Sequence, residues 1–500
     1  MAEYIVTVTE SANWQELHNE LVNDGISVAK LRATNTRNTH YNLTTEQANN
    51  LKNDARVLAV QLESGHTWKT DAFQDTDFEK TNSNWGLLRH TNESNVYGTS
   101  AQDPNITYDY VLDGTGVDIV TLDSGIQPNH PEFQDANGVS RVKQIDWYTE
   151  SGVSGTQQSG HYSDGGSHGT HVTGIVAGKT YGWAKNANIY SVKMEELDFT
   201  GTGISYTDCC DVIRGWHNAK AGSRPTILNI SLKAVIKLYT PLSTGYLTDV
   251  TGSAPDYNWP CTGGTYRGAP GHINPIKWRE EFGFRGGDQT GLMEVGGQIP
   301  SLDVDIKQCI DAGIIVCISA GNSRNKLVIP SDEDWDNSLI FTSQADGTIE
   351  TINYMRPATP NLNSGTGSAP NPGFLVGSLD TTTYSSTHDR MSIFSNIGSA
   401  VNIYAAGSKI KSSIPTNSTA SYNGTSMASP QIAGMCALLL QAHPEWTPKQ
   451  VTNWFIDKST DKMYSAGSTE FADNYSLLGG TPRVAYFPLN GRNVFTISGS

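Results

Sequence analysis

Ser421-Tyr422-Asn423-Gly424-Thr425-Ser426-Met427-Ala428-Ser429-Pro430 leads without a break into an apolar run, Ile432 to Leu440. The reading of this stretch decides the reading of the whole chain. Ala433 and Gly434, small residues early in the run, suit a deeply buried helix. Gly424, Thr425 and Ser426 let the backbone turn tightly, so that one hydroxyl stands at the helix N-terminus. Unpaired amides and the helix dipole favour negative charge there, which is what an attacking serine generates. Pro430 is expected in the first helical turn, where its missing N–H costs least. The same residues would also serve as a plain loop and N-cap, the commoner use of a serine before a helix.

The chain is long enough for roughly two to four domains, or for one large domain with appendages. Hydrophobic residues at 37% together with 49 glycines describe a loop-rich α/β protein. No run of about 18 apolar residues exists, so no membrane span is expected. A formal charge of −16 argues against a nucleic-acid partner, because phosphate contacts need lysine and arginine. Cysteines stand at 209, 210, 261, 309, 317 and 436, and no Cys-x-x-Cys pair appears, which argues against zinc. Cys317 and Cys436 lie inside apolar runs, and free buried thiols are expected. Met1 to Val6 offers neither a basic nor an apolar leader region, so no signal peptide is expected.

Residues 3–8 alternate like a strand, and Trp14, Leu17, Leu21 and Val22 follow at helical spacing behind Ser11, an expected N-cap. Residues 26–43 read as two short extended segments. Thr44 and Gln47 have capping-box form, with Ala48, Leu51 and Ala55 continuing one helical face, and Val57 to Leu62 closes as a strand. Residues 64–83 are polar and acidic, lack hydrophobic periodicity, and read as a linker.

Further on, Val117 to Leu122 is β-rich and ends in Asp123-Ser124-Gly125, a carboxylate where open α/β sheets place their sites. Ser167-His168-Gly169-Thr170-His171 opens a helix of small residues; its histidines are three apart, not at the zincin spacing. Thr226 to Leu232 and Ile314 to Ser319 read as strands, the second ending in Ala320-Gly321-Asn322. Asn322 brings two amide donors to that turn, although Gly-Asn alone is an ordinary turn signal.

The Gly424–Pro430 run resembles the nucleophile motif of the subtilisin-like serine proteases, and Asp123, His168, Asn322 and Ser426 stand in the family's chain order. The resemblance covers about residues 84–233 and 301–460. It implies Asp123, His168 and Ser426 as a catalytic triad, Asn322 as oxyanion-hole donor, and His171 as a buried structural residue. It further implies substrate contacts at Gly201-Thr202-Gly203, at Ser231-Leu232 and at Ser319-Ala320-Gly321. Trp85-Gly86-Leu87 looks like the start of a mature domain of the proteinase K branch. More weakly, the βαββαβ order of residues 1–63 resembles the family's inhibitory propeptide, and a ferredoxin-like module of other purpose would read the same. Three departures stand out: Lys233-Ala234 where the family has Gly-Gly, Ala406 where it has proline, and Gln431 where it has histidine.

The expected fold is therefore α/β, a doubly wound, mostly parallel sheet with a small α+β ferredoxin-like prodomain. The expected organisation is a propeptide at 1–63, a cleaved linker at 64–83 and a catalytic domain at 84–480. Insertions without evident secondary structure fall at about 235–300 and 324–369, and a β-rich tail occupies 481–500. The expected activity is that of a self-processing serine endopeptidase acting on protein or peptide substrates, with its own propeptide as inhibitor. The alternative is a catalytically silent or virion-associated scaffold using the insertions as binding surfaces. No cofactor is expected. Family members commonly hold structural calcium, but the loop for the strongest subtilisin site is missing between Gly178 and Trp183. The compartment stays open: extracellular behind a removed leader, cytoplasmic, or phage-particle-associated.

Overall fold

A computed structural model describes residues 1–30, 37–63, 67–70, 73–74, 84–95, 110–143, 146–157, 163–194, 206–239, 261–270, 292–295, 297–342, 349–359, 362, 372–385, 388–465 and 475–488. The N-terminal unit runs β1 (Ala2–Val8), α1 (Trp14–Asn23), β2 (Ser27–Lys30), β3 (Asn38–Leu43), α2 (Thr45–Leu51) and β4 (Val57–Leu62). Its antiparallel sheet has the order β2-β3-β1-β4. Alternate residues of β1, namely Tyr4, Val6 and Val8, pack with Leu17, Leu21, Ala48, Leu51 and Val60. The capping box forms as expected on α2, where Thr44 and Gln47 satisfy each other's amides. On α1 the cap is Asn13 rather than Ser11. Val22 faces solvent, since it falls off the stripe shared by Leu17 and Leu21. Ala55 lies beyond the end of α2 and is exposed.

The stretch read as a linker contributes two short strands, β5 (Thr67–Thr70) and β6 (Phe73–Gln74). Next come α3 (Gly86–Arg89), β7 (Asp118–Asp123), α4 (Trp147–Ser151), α5 (His168–Ala177), β8 (Asn188–Lys193), α6 (Tyr206–Ala219), β9 (Thr226–Ile230) and β10 (Leu232–Tyr239). The first insertion carries β11 (Cys261–Tyr266), β12 (Ala269–Pro270) and β13 (Leu292–Val295). The chain continues through α7 (Pro300–Asp311), β14 (Ile315–Ser319), β15 (Ser338–Thr342), β16 (Ile349–Ile352), β17 (Phe374–Leu379), β18 (Ile403–Ala406), β19 (Ile410–Ile414) and β20 (Ser418–Asn423). It closes with α8 (Thr425–Ala442) and α9 (Pro448–Lys458).

Six strands form the central sheet in the order β18-β17-β14-β9-β7-β8, parallel throughout. Successive residues point to opposite faces, so Ile315 and Cys317 of β14 join the core around α8 while Val316 and Ile318 join that around α6 and α7. Both faces are covered, as the α/β expectation required. From β7 the chain passes to β8 on one side and then to β9 on the other. The carboxyl ends of β7 and β9 therefore flank a topological switch point, where open parallel sheets leave a crevice.

The insertions also differ from expectation, because both carry strands. β11 of the first pairs antiparallel with β15 of the second, and β10 extends to pair with β13. Gly263 and Gly264 inside β11 hide it from a propensity reading, since glycine is a poor strand former. Of the tail, residues up to 488 are described; Val484 bridges Tyr404 and Thr460, and no further strand follows β20 among the described residues. Cys209, Cys210, Cys309, Cys317 and Cys436 are free and buried. Among the described residues, no helix is long and apolar enough to cross a membrane.

The N-terminal sheet sits against α6 and α7. Asn38 donates to Asp305 Oδ1 at 2.6 Å and to the Ser301 carbonyl at 3.0 Å, and Lys30 lies 3.3 Å from Asp208. Helix α7 has no side-chain cap of its own and starts on Pro300. Gln61 of β4 supplies one, its Oε1 accepting the Ser301 N–H at 2.9 Å.

Candidate active site

Asp123 is the last residue of β7, and His168 the first of α5. Ser167 adopts a left-handed φ of 62°, which turns the chain sharply into that helix. His168 Nδ1 donates to Asp123 Oδ1 at 2.8 Å, and the same oxygen accepts the Ser124 N–H at 2.7 Å. Both side chains are buried, at 3% and 1% exposure. A neutral imidazole held this way carries its proton on Nδ1 and leaves Nε2 basic.

Asp164, which no sequence signal marked, organises the start of α5. Its Oδ2 accepts the Thr170 N–H at 2.8 Å, and its Oδ1 accepts the Ser124 hydroxyl at 2.8 Å. Ser124 Oγ in turn accepts the Gly169 N–H at 3.0 Å. Burial pushes the Asp164 carboxyl above its usual value, against the pull of those hydrogen bonds. Gly169 is obligatory for room: a Cβ there would run into the Gly125 carbonyl. His171, one turn on, is fully buried, bonds the Ala420 carbonyl at 3.0 Å and stacks on Tyr422.

Ser426 is the second residue of α8. The helix starts earlier than expected, at Thr425, which moves Pro430 out of the first turn and into the second. Proline has no N–H for the carbonyl four residues back, so Ser426 O loses its helical partner. The Ser231 hydroxyl takes that carbonyl at 3.0 Å. In return the Ser426 hydroxyl donates to Ser231 O at 3.1 Å. Asn229 completes the lattice, donating to Ser231 Oγ at 2.9 Å and accepting from Ser429 at 2.9 Å. The end of β9 and the start of α8 are thus tied by three hydrogen bonds within one buried cluster, and the Asn229–Ser231 bond braces the strand end.

Asn322 follows the carboxyl end of β14, neighbour to β9 in the sheet. Its Oδ1 accepts from Thr425 twice, from the amide at 2.8 Å and from the hydroxyl at 2.9 Å. That assignment turns the amide nitrogen away from Thr425. Thr425 Oγ1 also accepts the Gly321 N–H at 3.0 Å. Asn396, a second unmarked residue, clamps the same loop: it donates to Ala320 O at 2.7 Å and accepts from Asn325 N at 2.8 Å. Gly321 has φ 101°, and a Cβ on it would meet that Asn396 side chain.

The remaining expected residues fall into two groups. Ser231, Leu232, Ser319, Ala320 and Gly321 gather at the ends of β9 and β14, with Ser319 Oγ donating to Leu232 O at 3.4 Å. Gly201, Thr202 and Gly203 lie outside the described residues. Gln431, the departure with no evident reason in the sequence, is wholly buried; its Oε1 accepts from Trp183 Nε1 at 2.6 Å. Between Gly178 and Trp183 the chain closes in a single tight turn. A hydroxyl at a helix N-terminus, a carboxamide bonded to that same helix start, and an imidazole oriented by a carboxylate are the parts needed for acyl transfer.

Known proteins resemble this chain in sequence. Alkaline serine exoprotease A of Vibrio alginolyticus is 26% identical over 427 residues, 84% of this chain and 55% of that protein. Subtilisin NAT of Bacillus subtilis subsp. natto is 24% identical over 367 residues, covering 72% of this chain and 64% of its own length. The chain thus spans about half to two thirds of the length of the curated relatives it matches. A crystal structure of a cold adapted subtilisin-like serine proteinase is similar with a TM-score of 0.46 and 24% identity, covering 81% of this chain and 98% of that one. The sequence model described as the Subtilase family matches residues 114–475, and the chain belongs to that family.

Proposed function

We propose that this chain is a serine endopeptidase, made as a self-processing zymogen, in which Asp123, His168 and Ser426 form the triad and Asn322 the oxyanion donor. The observation that carries the reading is the buried Asp123–His168 bond of 2.8 Å at the switch point of the sheet. Ser426 and Asn322 gather at that same end, joined through Thr425. For attack, the Ser426 hydroxyl turns from Ser231 O to His168 Nε2, which takes its proton as Oγ bonds the substrate carbonyl carbon. Asp123 holds the tautomer and stabilises the imidazolium. The Ser426 N–H and the Asn322 amide donate to the oxyanion. His168 then protonates the leaving amine, and water completes hydrolysis by the same route.

The domain reading follows. Residues 1–63 are proposed as the inhibitory propeptide, 64–83 as the segment that is cut, and 84–480 as the catalytic domain of the proteinase K branch. The capping of α7 by Gln61 supports a propeptide that helps the catalytic domain fold, because it completes a helix left unfinished without it. Gly201-Thr202-Gly203 is proposed to pair with substrate backbone beside Ser231 and Leu232. Substrates are proteins or peptides, and the chemistry requires no cofactor. Calcium is proposed only as a structural ion. Among the described residues, the one cluster of potential ligands is Glu3, His40 and Glu63, and its imidazole suits an oxygen-seeking cation poorly.

The test compares wild type with Ser426→Ala on a casein-type substrate, with circular dichroism to show that both fold. The expected loss in the variant is about a million-fold in turnover, the scale measured in a subtilisin. Equal activity in the folded variant would sink the reading.

A further inference from the structure

We infer that the first self-cleavage falls between Asp71 and Ala72. The inference rests on the self-processing reading above and names the bond. Strand β5 runs antiparallel to β10, with Thr70 opposite Leu232 and Trp68 opposite Ala234. Strand β6 runs antiparallel to β20, with Phe73 opposite Asn423 and Gln74 opposite Tyr422. Each of these two hosts has one end close to Ser426, one through a hydrogen bond and one along the chain. Leu232 directly follows Ser231, whose carbonyl accepts the Ser426 hydroxyl at 3.1 Å. Asn423 is followed by Gly424, Thr425 and Ser426. Residues 67–70 and 73–74 are therefore held by backbone pairing on hosts that each reach the candidate nucleophile's surroundings, which is how an extended polypeptide substrate adds to a strand edge.

The registers select the bond. In an antiparallel pair, one step back along the host is one step forward along the guest. From Thr70 opposite Leu232, the next guest residue, 71, counts to Ser231. From Phe73 opposite Asn423, the preceding guest residue, 72, counts to Gly424. Asp71 and Ala72 lie outside the described residues, and the count rests on the strands that flank them. The two counts meet between 71 and 72. Ser231 is the residue bonded to the Ser426 hydroxyl, and Gly424 is the N-cap of its helix. The 70–71 and 72–73 bonds each belong to one host alone.

The chemistry balances without a co-reactant beyond water. Ser426 Oγ bonds the Asp71 carbonyl carbon, and its proton passes to His168. The Asp71–Ala72 C–N bond breaks, and that proton goes to the Ala72 nitrogen, which leaves as a free amine. Water hydrolyses the ester, regenerating Ser426 and giving Asp71 an α-carboxylate.

The experiment follows intact mass and N-terminal sequence of full-length wild type and Ser426→Ala over time, beside casein hydrolysis. The expected result is fragments 1–71 and 72–500 as the earliest products, with Ala72 as the new N-terminus, absent from the variant. A first cut elsewhere within 64–83, still dependent on Ser426, overturns the assigned bond and leaves self-processing intact. An uncut wild type that also ignores casein overturns both.

Discussion

Gln431 and Asn84 exchange a reciprocal pair of amide hydrogen bonds, Gln431 Nε2 donating to Asn84 Oδ1 at 2.6 Å and Asn84 Nδ2 to Gln431 Oε1 at 3.0 Å. The pair ties helix α8, five residues after Ser426, to the segment that leads into α3. Gln431 Oε1 also holds Trp183, and Asn84 reaches on to the Gly86 amide and the Tyr181 carbonyl. A side chain offering an acceptor and two donors from one flat group satisfies all these neighbours together. That is the physical reason for the departure at position 431.

Gln431→Leu should therefore destabilise the protein by about 1–3 kcal/mol, the cost of orphaning buried polar groups. Chemical denaturation in a Ser426→Ala background, which lacks the proposed nucleophile, measures it. A change within about 0.5 kcal/mol, the range of ordinary surface substitutions, would contradict the network's role.

Ser231 and Pro430 should be coupled. Ser231→Ala removes the hydroxyl that donates to Ser426 O and should cost about 1–2 kcal/mol. Pro430→Ala restores a helical N–H aimed at that same carbonyl. In the Pro430→Ala background the Ser231→Ala cost should shrink, leaving mainly the unsatisfied Asn229 amide. A double-mutant cycle reads the coupling directly, and strict additivity would show that the hydroxyl does not replace the missing helical bond.

Asn396→Ala should loosen the turn that carries Asn322, since it deletes the side-chain bonds to Ala320 and Asn325 and leaves the backbone bond to Gly321. With Asn322 as oxyanion donor, the expected signature is a lower kcat with little change in KM. The ceiling on that loss is the effect of deleting the donor itself, about 100- to 1,000-fold in a subtilisin. A rise in KM at constant kcat would place Asn396 in substrate binding instead.

Much of this arrangement was legible because a strand end or helix start announces itself locally. Asp123 closes a β-rich run before a glycine turn, and Ser426 opens an apolar helix behind Gly424. Asp164 and Asn396 gave no such signal. Each acts by reaching a loop distant in sequence, and a lone Asp or Asn among Gly and Ser reads as a turn former. Strands β5 and β6 were hidden for another reason. Pairing at a strand edge uses backbone groups, so Thr67-Trp68-Lys69-Thr70 needs no alternation of apolar residues to be recruited. Pro430 was misplaced by one turn because the helix start is set by Thr425 bonding Asn322, a contact between segments 103 residues apart.

Acid should destabilise the fold through two buried histidines. Burial pushes both His90 and His171 down to about 3. His90 shows why: the Ala406 N–H donates to its Nε2 at 3.0 Å while its Nδ1 donates to Ala485 O at 2.8 Å, so only the neutral ring satisfies both partners. In the unfolded chain the same rings bind a proton near pH 6.5. Between about 6.5 and 3 the unfolded state therefore holds more protons, and stability rises with pH. It is fully present above about 6.5 and falls by up to about 1.4 kcal/mol per pH unit for each ring as acid is added. Asp164, whose carboxyl is raised, runs the other way, its contribution fading as pH rises through its folded value. The histidines outnumber it, so the unfolding free energy of Ser426→Ala, from chemical denaturation, should drop from pH 7 to pH 5 by about 2 kcal/mol per ring. His90→Gln should be less stable at pH 7 yet show the shallower decline. Parallel pH profiles for the two proteins would mean that His90 does not carry the acid sensitivity.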